Sequence, residues 1–261
     1  MDVLSPRSLE DALRLKFERP EVRPIQGGTD VMVDLNFDRS RPAALLNLNE
    51  VAELRGWSRE DGILRLGASL TYAEATSAPL AEAYPALAEA SRTVGSPQIR
   101  NRGTIGGNLG TASPAGDALP PLLVRAAEVE LASVRGVRTL PLATFLVGSK
   151  RNALGADELV TAVRVPATGG AETFMKVGPR NAMVIAVVSL ALRVEGDELI
   201  ASFGSAGPVP GLTRAPRGER DSFPEQVAAA ASPIDDVRGT AAYRRHALRV
   251  LAARALDRCL A

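Results

Sequence analysis

The stretch RNRGTIGGNLGTASPAGD, residues 100–117, is the most informative part of this sequence. It ends a longer segment, 94–117, in which regular hydrophobic periodicity gives way to Gly, Ser, Thr, Asn and Pro. A packed core does not require such a composition, whereas loops that carry function commonly have it. We therefore expect this segment to contribute to the functional site.

A second glycine-rich loop, PIQGGTD, occupies residues 24–30. Neither loop contains the Gly-Lys-Ser/Thr of a Walker phosphate loop or the G-x-G-x-x-G of a Rossmann fold. Taken alone, each glycine pair is better explained as a tight turn. Together they suit a diphosphate, because glycines without a Cβ atom let backbone N–H groups approach an anion. Asp117 adds a carboxylate that can accept hydrogen bonds from ligand hydroxyls.

The composition excludes several other classes of function. Among 261 residues, Lys and Arg number 31 and Asp and Glu 30, so no strong field favours nucleic acid. Cys259 and His246 are the only residues of their types, which excludes a disulfide framework, a multi-thiolate metal site and a histidine cluster. The N-terminal residues lack a signal-peptide pattern, and no apolar run reaches about 18 residues. We therefore expect a cytoplasmic protein without membrane insertion.

Local sequence signals predict an α+β protein of two domains, 1–167 and 171–261, joined near Thr168. Predicted strands are Val22 to Gln26, Leu45 to Leu48, Glu53 to Trp57, Ile63 to Leu66, Val129 to Ser133, Val137 to Leu140, Glu158 to Val165, Glu172 to Val177, Val184 to Val194 and Leu199 to Ser205. Predicted helices follow Ser8, Thr71 and Pro85 and cover Leu122 to Ala127, Glu225 to Ala231 and Thr240 to Leu260. The stretch 167–170, ATGG, is the best linker.

The motif at 100–108, continued by SPAGD at 113–117, resembles the FAD-binding signature of the medium subunit of molybdenum hydroxylases. This family includes enzymes of the xanthine dehydrogenase and carbon monoxide dehydrogenase types. GGTD at 27–30 is similar to the first loop of the family. The segment 157–166 is similar to the strand that closes its FAD domain, and the segment 235–245 to its entry into the last helix. The resemblance covers nearly the whole chain.

The resemblance implies an FAD-binding domain of two α/β parts, followed by a small domain with a three-stranded antiparallel sheet and a helical bundle. It also implies a set of residues that hold the FAD diphosphate and neighbouring hydroxyls, with Lys176 near the flavin. These residues are Pro24, Ile25, Gln26, Gly27, Gly28, Thr29, Asp30, Val31, Thr104, Ile105, Gly106, Gly107, Asn108, Asp117 and Lys176. One departure from the family is the short, Arg-rich stretch 208–223, which concerns packing or docking of the C-terminal domain.

By the same resemblance, the chain is the FAD-carrying electron-transfer subunit of a larger enzyme and has no catalytic residue of its own. Its partners would be a molybdenum cofactor large subunit and a two-iron two-sulfur small subunit, with NAD, a quinone or oxygen as electron acceptor. One alternative is a flavin-binding module or scaffold without electron transfer. A stand-alone FAD oxidase is a further alternative, for which the sequence offers no candidate base.

Overall fold

The computed structural model describes residues 1–167 and 169–261, so the predicted junction at Thr168 lies outside the described residues. The strands are β1 (Asp2–Leu4), β2 (Arg23–Ile25), β3 (Ala44–Asn47), β4 (Trp57–Glu60), β5 (Ile63–Gly67), β6 (Glu128–Ser133), β7 (Gly136–Pro141), β8 (Leu146–Gly148), β9 (Arg151–Asn152), β10 (Leu159–Pro166), β11 (Ala171–Val177), β12 (Val188–Glu195), β13 (Glu198–Gly204) and β14 (Gly211–Pro216). The helices are α1 (Leu9–Glu18), α2 (Val31–Asn36), α3 (Tyr72–Ala75), α4 (Leu80–Ala83), α5 (Pro85–Thr93), α6 (Pro97–Arg102), α7 (Ile105–Thr111), α8 (Leu119–Val124), α9 (Leu142–Phe145), α10 (Phe223–Ala230) and α11 (Ala241–Leu260). Two 3-10 turns, Ala52–Leu54 and Arg217–Glu219, complete the described elements.

A small parallel sheet of order β1-β3-β2 forms the first part of the N-terminal half. Helix α1 covers it, and Ser8 caps this helix by accepting a hydrogen bond from the Asp11 N–H at 3.1 Å. The buried Lys16 ammonium donates to the carbonyls of Pro20 and Val22 at 2.6 and 2.8 Å, which fixes the chain between α1 and β2. This part therefore delivers the first glycine-rich loop at the carboxyl end of β2.

The second part is a five-stranded antiparallel sheet of order β4-β5-β10-β6-β7. The predicted hairpin turn at Asp61 and Gly62 is present, and both residues have positive φ, 50° and 74°. The predicted first strand, Glu53 to Trp57, was placed too early in the chain. A two-residue turn pairs Glu60 with Ile63, so the strand must directly precede the turn and spans Trp57–Glu60.

Short helices α3 to α8 connect β5 with β6 and cover the second sheet. The predicted capping box of Thr71 and Glu74 is present at the start of α3. The segment 94–117, which lacks regular hydrophobic periodicity, contains the two short helices α6 and α7. Ser96 and Thr104 cap these two helices by accepting hydrogen bonds from backbone N–H groups, which stabilises α7 despite its three glycines.

The C-terminal half contains an antiparallel sheet of order β11-β12-β13-β14. The three predicted strands are present, and β14, which lies within the Arg-rich stretch 208–223, adds a fourth to the predicted three. The extra strand pairs with β13 over residues 211–216 and continues the sheet on its β13 side. Helices α10 and α11 pack on one face of this sheet, and α5 and α8 of the N-terminal half pack on the other.

The sheet is therefore buried on both faces, and residues 188–194 of β12 are all buried. One hydrophobic cluster spans both halves, since Phe174 and Ile200 join the residues around Leu64 and Leu119. These features confirm the predicted α+β class. Within the described residues, no helix combines the length and apolar character needed to cross a membrane.

Candidate functional site

A cavity of about 1060 Å³ lies where the two glycine-rich loops face the C-terminal half. The structure brings most of the predicted site residues together at its wall. These are Pro24, Ile25, Gln26, Gly27, Gly28, Thr29, Asp30, Val31, Thr104, Gly106, Gly107 and Asn108. Ile105, Asp117 and Lys176 are not at the cavity surface, and Ile105 is wholly buried in the core.

The first loop presents unpaired hydrogen-bond donors to the cavity. Strand β2 ends at Ile25, whose carbonyl accepts from the Leu48 N–H at 2.9 Å. Beyond it, the N–H groups of residues 27–30 have no acceptor among the described residues. Gly28 adopts a φ of 76°, a left-handed conformation that favours glycine. A run of free N–H groups in such a loop can bind an anion.

The two loops touch each other directly. A Cβ atom built on Gly27 would lie 1.9 Å from the carbonyl oxygen of Arg102, so only glycine fits at this crossing. The Arg102 side chain crosses back and donates to the Gln26 carbonyl at 3.3 Å and to the Asn49 amide oxygen at 3.2 Å. Asn49 in turn donates to the Gln26 carbonyl at 3.0 Å. These contacts hold the loops in a fixed relative position.

The second loop differs from the expectation that its backbone N–H groups are free for an anion. The N–H of Ile105 donates to the Leu70 carbonyl at 2.9 Å, and that of Gly106 to the Ala68 carbonyl at 2.8 Å. The N–H of Gly107 donates to the hydroxyl of its cap, Thr104, at 3.0 Å. This loop therefore offers a surface without side chains rather than free donors.

The position of Gly107 shows what this surface provides. A Cβ atom there would meet only the Thr104 hydroxyl, at 3.1 Å, and otherwise lies in open space at the cavity wall. Gly106 is different, because its Cβ atom would lie 2.6 Å from the Cβ of Ala68. The fold therefore requires glycine at position 106, whereas at position 107 it leaves space open toward the cavity.

Asp117 and Lys176 form an ion pair away from the cavity surface, with 2.6 Å between Oδ2 and Nζ. Both side chains are buried, and the ammonium also donates to the Thr93 carbonyl at 3.2 Å. Burial raises the pKa of Asp117, and Lys176 opposes this change. The pair joins the chain just before α8 to β11, and so anchors the segment Ser113 to Ala115, which does line the cavity.

Residues of the C-terminal half form one wall of the cavity, and the sequence analysis placed none of them at the site. Asp236 accepts from the Arg238 side chain at 2.7 Å and from Arg244 at 2.5 Å, and Arg244 also donates to the Ser205 carbonyl at 2.6 Å. Both arginines and Ser205 line the cavity. Hydrogen bonds from Arg238, and more weakly from Arg244, hold the pKa of Asp236 far below its ordinary value although burial opposes them. Arg238 and Arg244 lie in the segment 235–245, whose resemblance to the family could have indicated that they belong to the site.

Other residues at the cavity wall were also missed. Arg23, Arg39 and Lys150 bring positive charge to it, with Arg23 paired to Asp34 at 2.7 Å. Tyr72, which directly follows the capping threonine of α3, lies at the wall as well. No periodicity or spacing distinguishes these residues, because the fold brings them together from distant parts of the chain.

Comparisons with known proteins agree with this geometry. Residues 1–168 match the family described as the FAD binding domain in molybdopterin dehydrogenase. The chain is 36% identical over 205 residues to the nicotinate dehydrogenase FAD-subunit of Eubacterium barkeri, covering 76% of this chain and 69% of that protein. It is 31% identical over 270 residues to the nicotine 6-hydroxylase medium subunit of Paenarthrobacter nicotinovorans, covering 97% and 94%.

A solved structure of carbon monoxide dehydrogenase from Hydrogenophaga pseudoflava has the same fold. The TM-score is 0.91 at 24% sequence identity, and the alignment covers 100% of this chain and 97% of the other. Both the sequence match over the N-terminal half and the fold over the full length therefore lead to one assignment. The chain belongs to the family of FAD-binding domains in molybdopterin dehydrogenases and is an FAD-carrying, oxidoreductase subunit.

Proposed function

We propose that this chain binds FAD in the cavity between its two glycine-rich loops and passes electrons from an iron–sulfur cluster to a terminal acceptor. The observation that carries the proposal is that two glycine-rich loops with different properties border the same cavity. The first loop supplies free N–H groups at residues 27–30, and the second supplies a wall without side chains at Gly107. This combination suits a charged group that must lie close to the backbone.

The cavity fits a cofactor as large as FAD. Its volume of about 1060 Å³ reaches the upper end of the ~300–1,000 Å³ found for small-molecule pockets. The first loop and Gly107 would hold the diphosphate, while Arg39 and Lys150 would balance its charge. Bound FAD supplies the redox chemistry, and the protein binds it, orients it and sets its electrostatic surroundings. Asp117 and Lys176 serve this site by anchoring the segment behind it.

The proposed partners are a molybdenum cofactor large subunit and a two-iron two-sulfur small subunit, with NAD, a quinone or oxygen as acceptor. Relatives named FAD-subunit and medium subunit support such an assembly. Within residues 1–167 and 169–261, no group of His, Cys, Asp or Glu is suited to hold a metal ion. We further propose a cytoplasmic location and a division into domains 1–167 and 171–261.

Co-expression of the full chain with the products of its neighbouring genes tests this proposal. The purified complex should contain FAD, iron–sulfur and molybdenum cofactor, and its flavin absorbance should bleach when hydroxylase substrate is added. The isolated chain should retain FAD but show no bleaching, because it has no acid–base constellation with which to oxidise a substrate.

Two outcomes would replace the proposal. Bleaching of the isolated chain by substrate would establish the stand-alone oxidase. Absence of bleaching in a complex that contains all three active cofactors would establish the scaffold without electron transfer.

A further inference from the structure

Tyr72 lies where the two glycine-rich loops cross. Its N–H donates to the Gly103 carbonyl at 3.0 Å. Its ring packs so closely on this glycine that a Cβ atom there would lie 3.0 Å from ring carbons Cδ2 and Cε2. Gly103 is also a neighbour of Gly27, because its Cα lies 3.1 Å from the position of a Cβ on Gly27. The phenol is thus placed at the junction of both loops.

The hydroxyl of Tyr72 has no hydrogen-bond partner among the described residues, although the side chain is only 5% exposed. The ring belongs to the hydrophobic core and yet also lines the cavity. Tyr84 provides the contrast, since it is fully buried and its hydroxyl donates to the Pro121 carbonyl at 2.6 Å. Buried hydroxyl groups are normally hydrogen-bonded. Tyr72 lines the cavity and its hydroxyl has no partner there, so the phenol is free to donate to an acceptor on a ligand.

The surroundings of this phenol keep it a donor. Burial, followed by the nearby carboxylates of Asp117 and Asp30, raises the pKa of Tyr72 well above its ordinary value. Asp30 belongs to the first loop, so the phenol and the free N–H groups of that loop face the same region. The phenol and these N–H groups are donors and suit a ligand group that accepts hydrogen bonds. The unpaired buried oxygens of Gln26, Asn108 and Asp117 are acceptors, and those of Gln26 and Asn108, which line the cavity, suit hydroxyl groups of the same ligand.

We propose that the Tyr72 hydroxyl donates a hydrogen bond to a diphosphate oxygen of bound FAD. The inference rests on the FAD site proposed above and adds a side-chain donor to its backbone donors. The diphosphate is the group concerned because the phenol ring packs at the crossing of the loops and lines the same cavity as the unpaired N–H groups, and a diphosphate offers acceptors only.

Two tyrosine variants of the full chain test this contact, Tyr72→Phe and its matched control Tyr84→Phe. Each removes one oxygen atom and keeps the ring. For both apoproteins the Tm is measured, together with the Kd values of FAD and of ADP, which carries a diphosphate without the flavin. Tyr72→Phe should leave the apoprotein Tm unchanged and weaken FAD and ADP binding by about tenfold or more. Tyr84→Phe should lower the Tm and leave both Kd values unchanged.

The outcomes that contradict the inference are distinct. Equal FAD affinity of Tyr72→Phe and the wild type would overturn it while leaving the proposed function intact. Weaker FAD binding with unchanged ADP binding would overturn the diphosphate contact. A Tm loss in Tyr72→Phe as large as that in Tyr84→Phe would show an intramolecular partner for the hydroxyl and also overturn it. A wild-type chain that binds no FAD would overturn the proposed function itself.

Discussion

Adjacent glycines in these loops have different physical reasons for being glycine. Gly27 and Gly106 face neighbouring backbone or Cβ atoms that leave no room for a side chain. Gly107 faces the cavity, where only the Thr104 hydroxyl is near. Since the fold does not require glycine at this position, a substitution there separates cofactor binding from folding.

We expect Gly107→Val to weaken FAD binding by at least about tenfold, because its side chain would occupy the space that the diphosphate approaches. Folding should be preserved, since valine is no worse than glycine within a helix. FAD affinity is measured by titration and folding by urea denaturation of the apoprotein. Gly218→Val is the control, because a Cβ atom there meets nothing and the position lies outside the cavity. An unchanged flavin spectrum in Gly107→Val would refute the role of this loop.

At the scale of elements, the segment between α10 and α11 is organised by one carboxylate. Asp236 binds the Arg238 N–H at 2.8 Å, the Arg238 side chain and Arg244, and α11 begins a few residues later. Arg244 extends the network to the Ser205 carbonyl at the end of β13. Helix α11 is thereby fixed against the sheet at the point where both border the cavity.

The stability provided by Asp236 should depend on pH. Because its pKa is lowered in the folded state, its contribution is fully present above the unfolded value of about 3.9 and is lost as the pH falls below that value. We expect Asp236→Asn to lower the Tm by about 5 °C at pH 7. The difference from the wild type should shrink as the pH falls from 5 to 3.

Thermal unfolding across this pH range measures the effect. Asp221→Asn is the control, since the Asp221 side chain is 96% exposed. A Tm difference between wild type and Asp236→Asn that stays constant from pH 7 to pH 3 would contradict the assigned charge effect.

At the scale of the whole molecule, a buried ion pair joins the two halves. The Arg125 guanidinium donates to both Glu172 oxygens, at 2.7 and 3.0 Å, and stacks on the Tyr84 ring at 4.2 Å. Its side chain is 4% exposed and that of Glu172 is 0% exposed. Arg125 follows α8, and Glu172 lies near the start of β11. The pair therefore fixes the C-terminal sheet on the N-terminal half.

We expect Glu172→Gln to destabilise the chain by about 3–5 kcal/mol, because it leaves the Arg125 charge buried without a counter-ion. Glu198→Gln breaks a pair with Arg214 in which both side chains are 43% exposed, and should cost no more than about 1 kcal/mol. Urea denaturation of both variants provides the comparison. Equal losses in the two variants would refute the special role of the buried pair.

The extent of the cavity predicts selectivity between flavin nucleotides. FAD should bind more tightly than FMN, because its second phosphate and adenosine occupy space bordered by both loops and by the C-terminal wall. At equal ligand concentrations FAD should raise the Tm of the chain more than FMN does. A ligand at 100 times its Kd stabilises the folded chain by about 2.7 kcal/mol. The amount of each flavin that stays bound to the chain during gel filtration gives a second measurement. Equal retention of FMN and FAD would contradict this prediction.

Local sequence signals were sufficient wherever neighbours in the chain decide the structure. The helix caps at Ser8 and Thr71 and the hairpin turn at Asp61 and Gly62 depend on contacts within a few residues, so they could be predicted directly. The glycine motifs likewise indicated the two loops and the cofactor. The fourth strand, β14, was missed because its sequence, GLTRAP, contains Gly, Ala and Pro, which are depleted in strands, and only its pairing with β13 makes it one.

The tertiary structure alone decided how these loops work. The sequence shows two similar glycine pairs, but only their surroundings distinguish a loop with free N–H groups from one whose N–H groups are bound to Leu70 and Ala68. Likewise, Asp117 and Lys176 were predicted at the cofactor and lie paired behind the cavity wall, whereas Tyr72 and Arg244 lie at that wall. The sequence determines which chemical groups are available, and long-range packing determines which of them remain unpaired beside the cavity, because hydrogen-bond satisfaction depends on residues far apart in the chain.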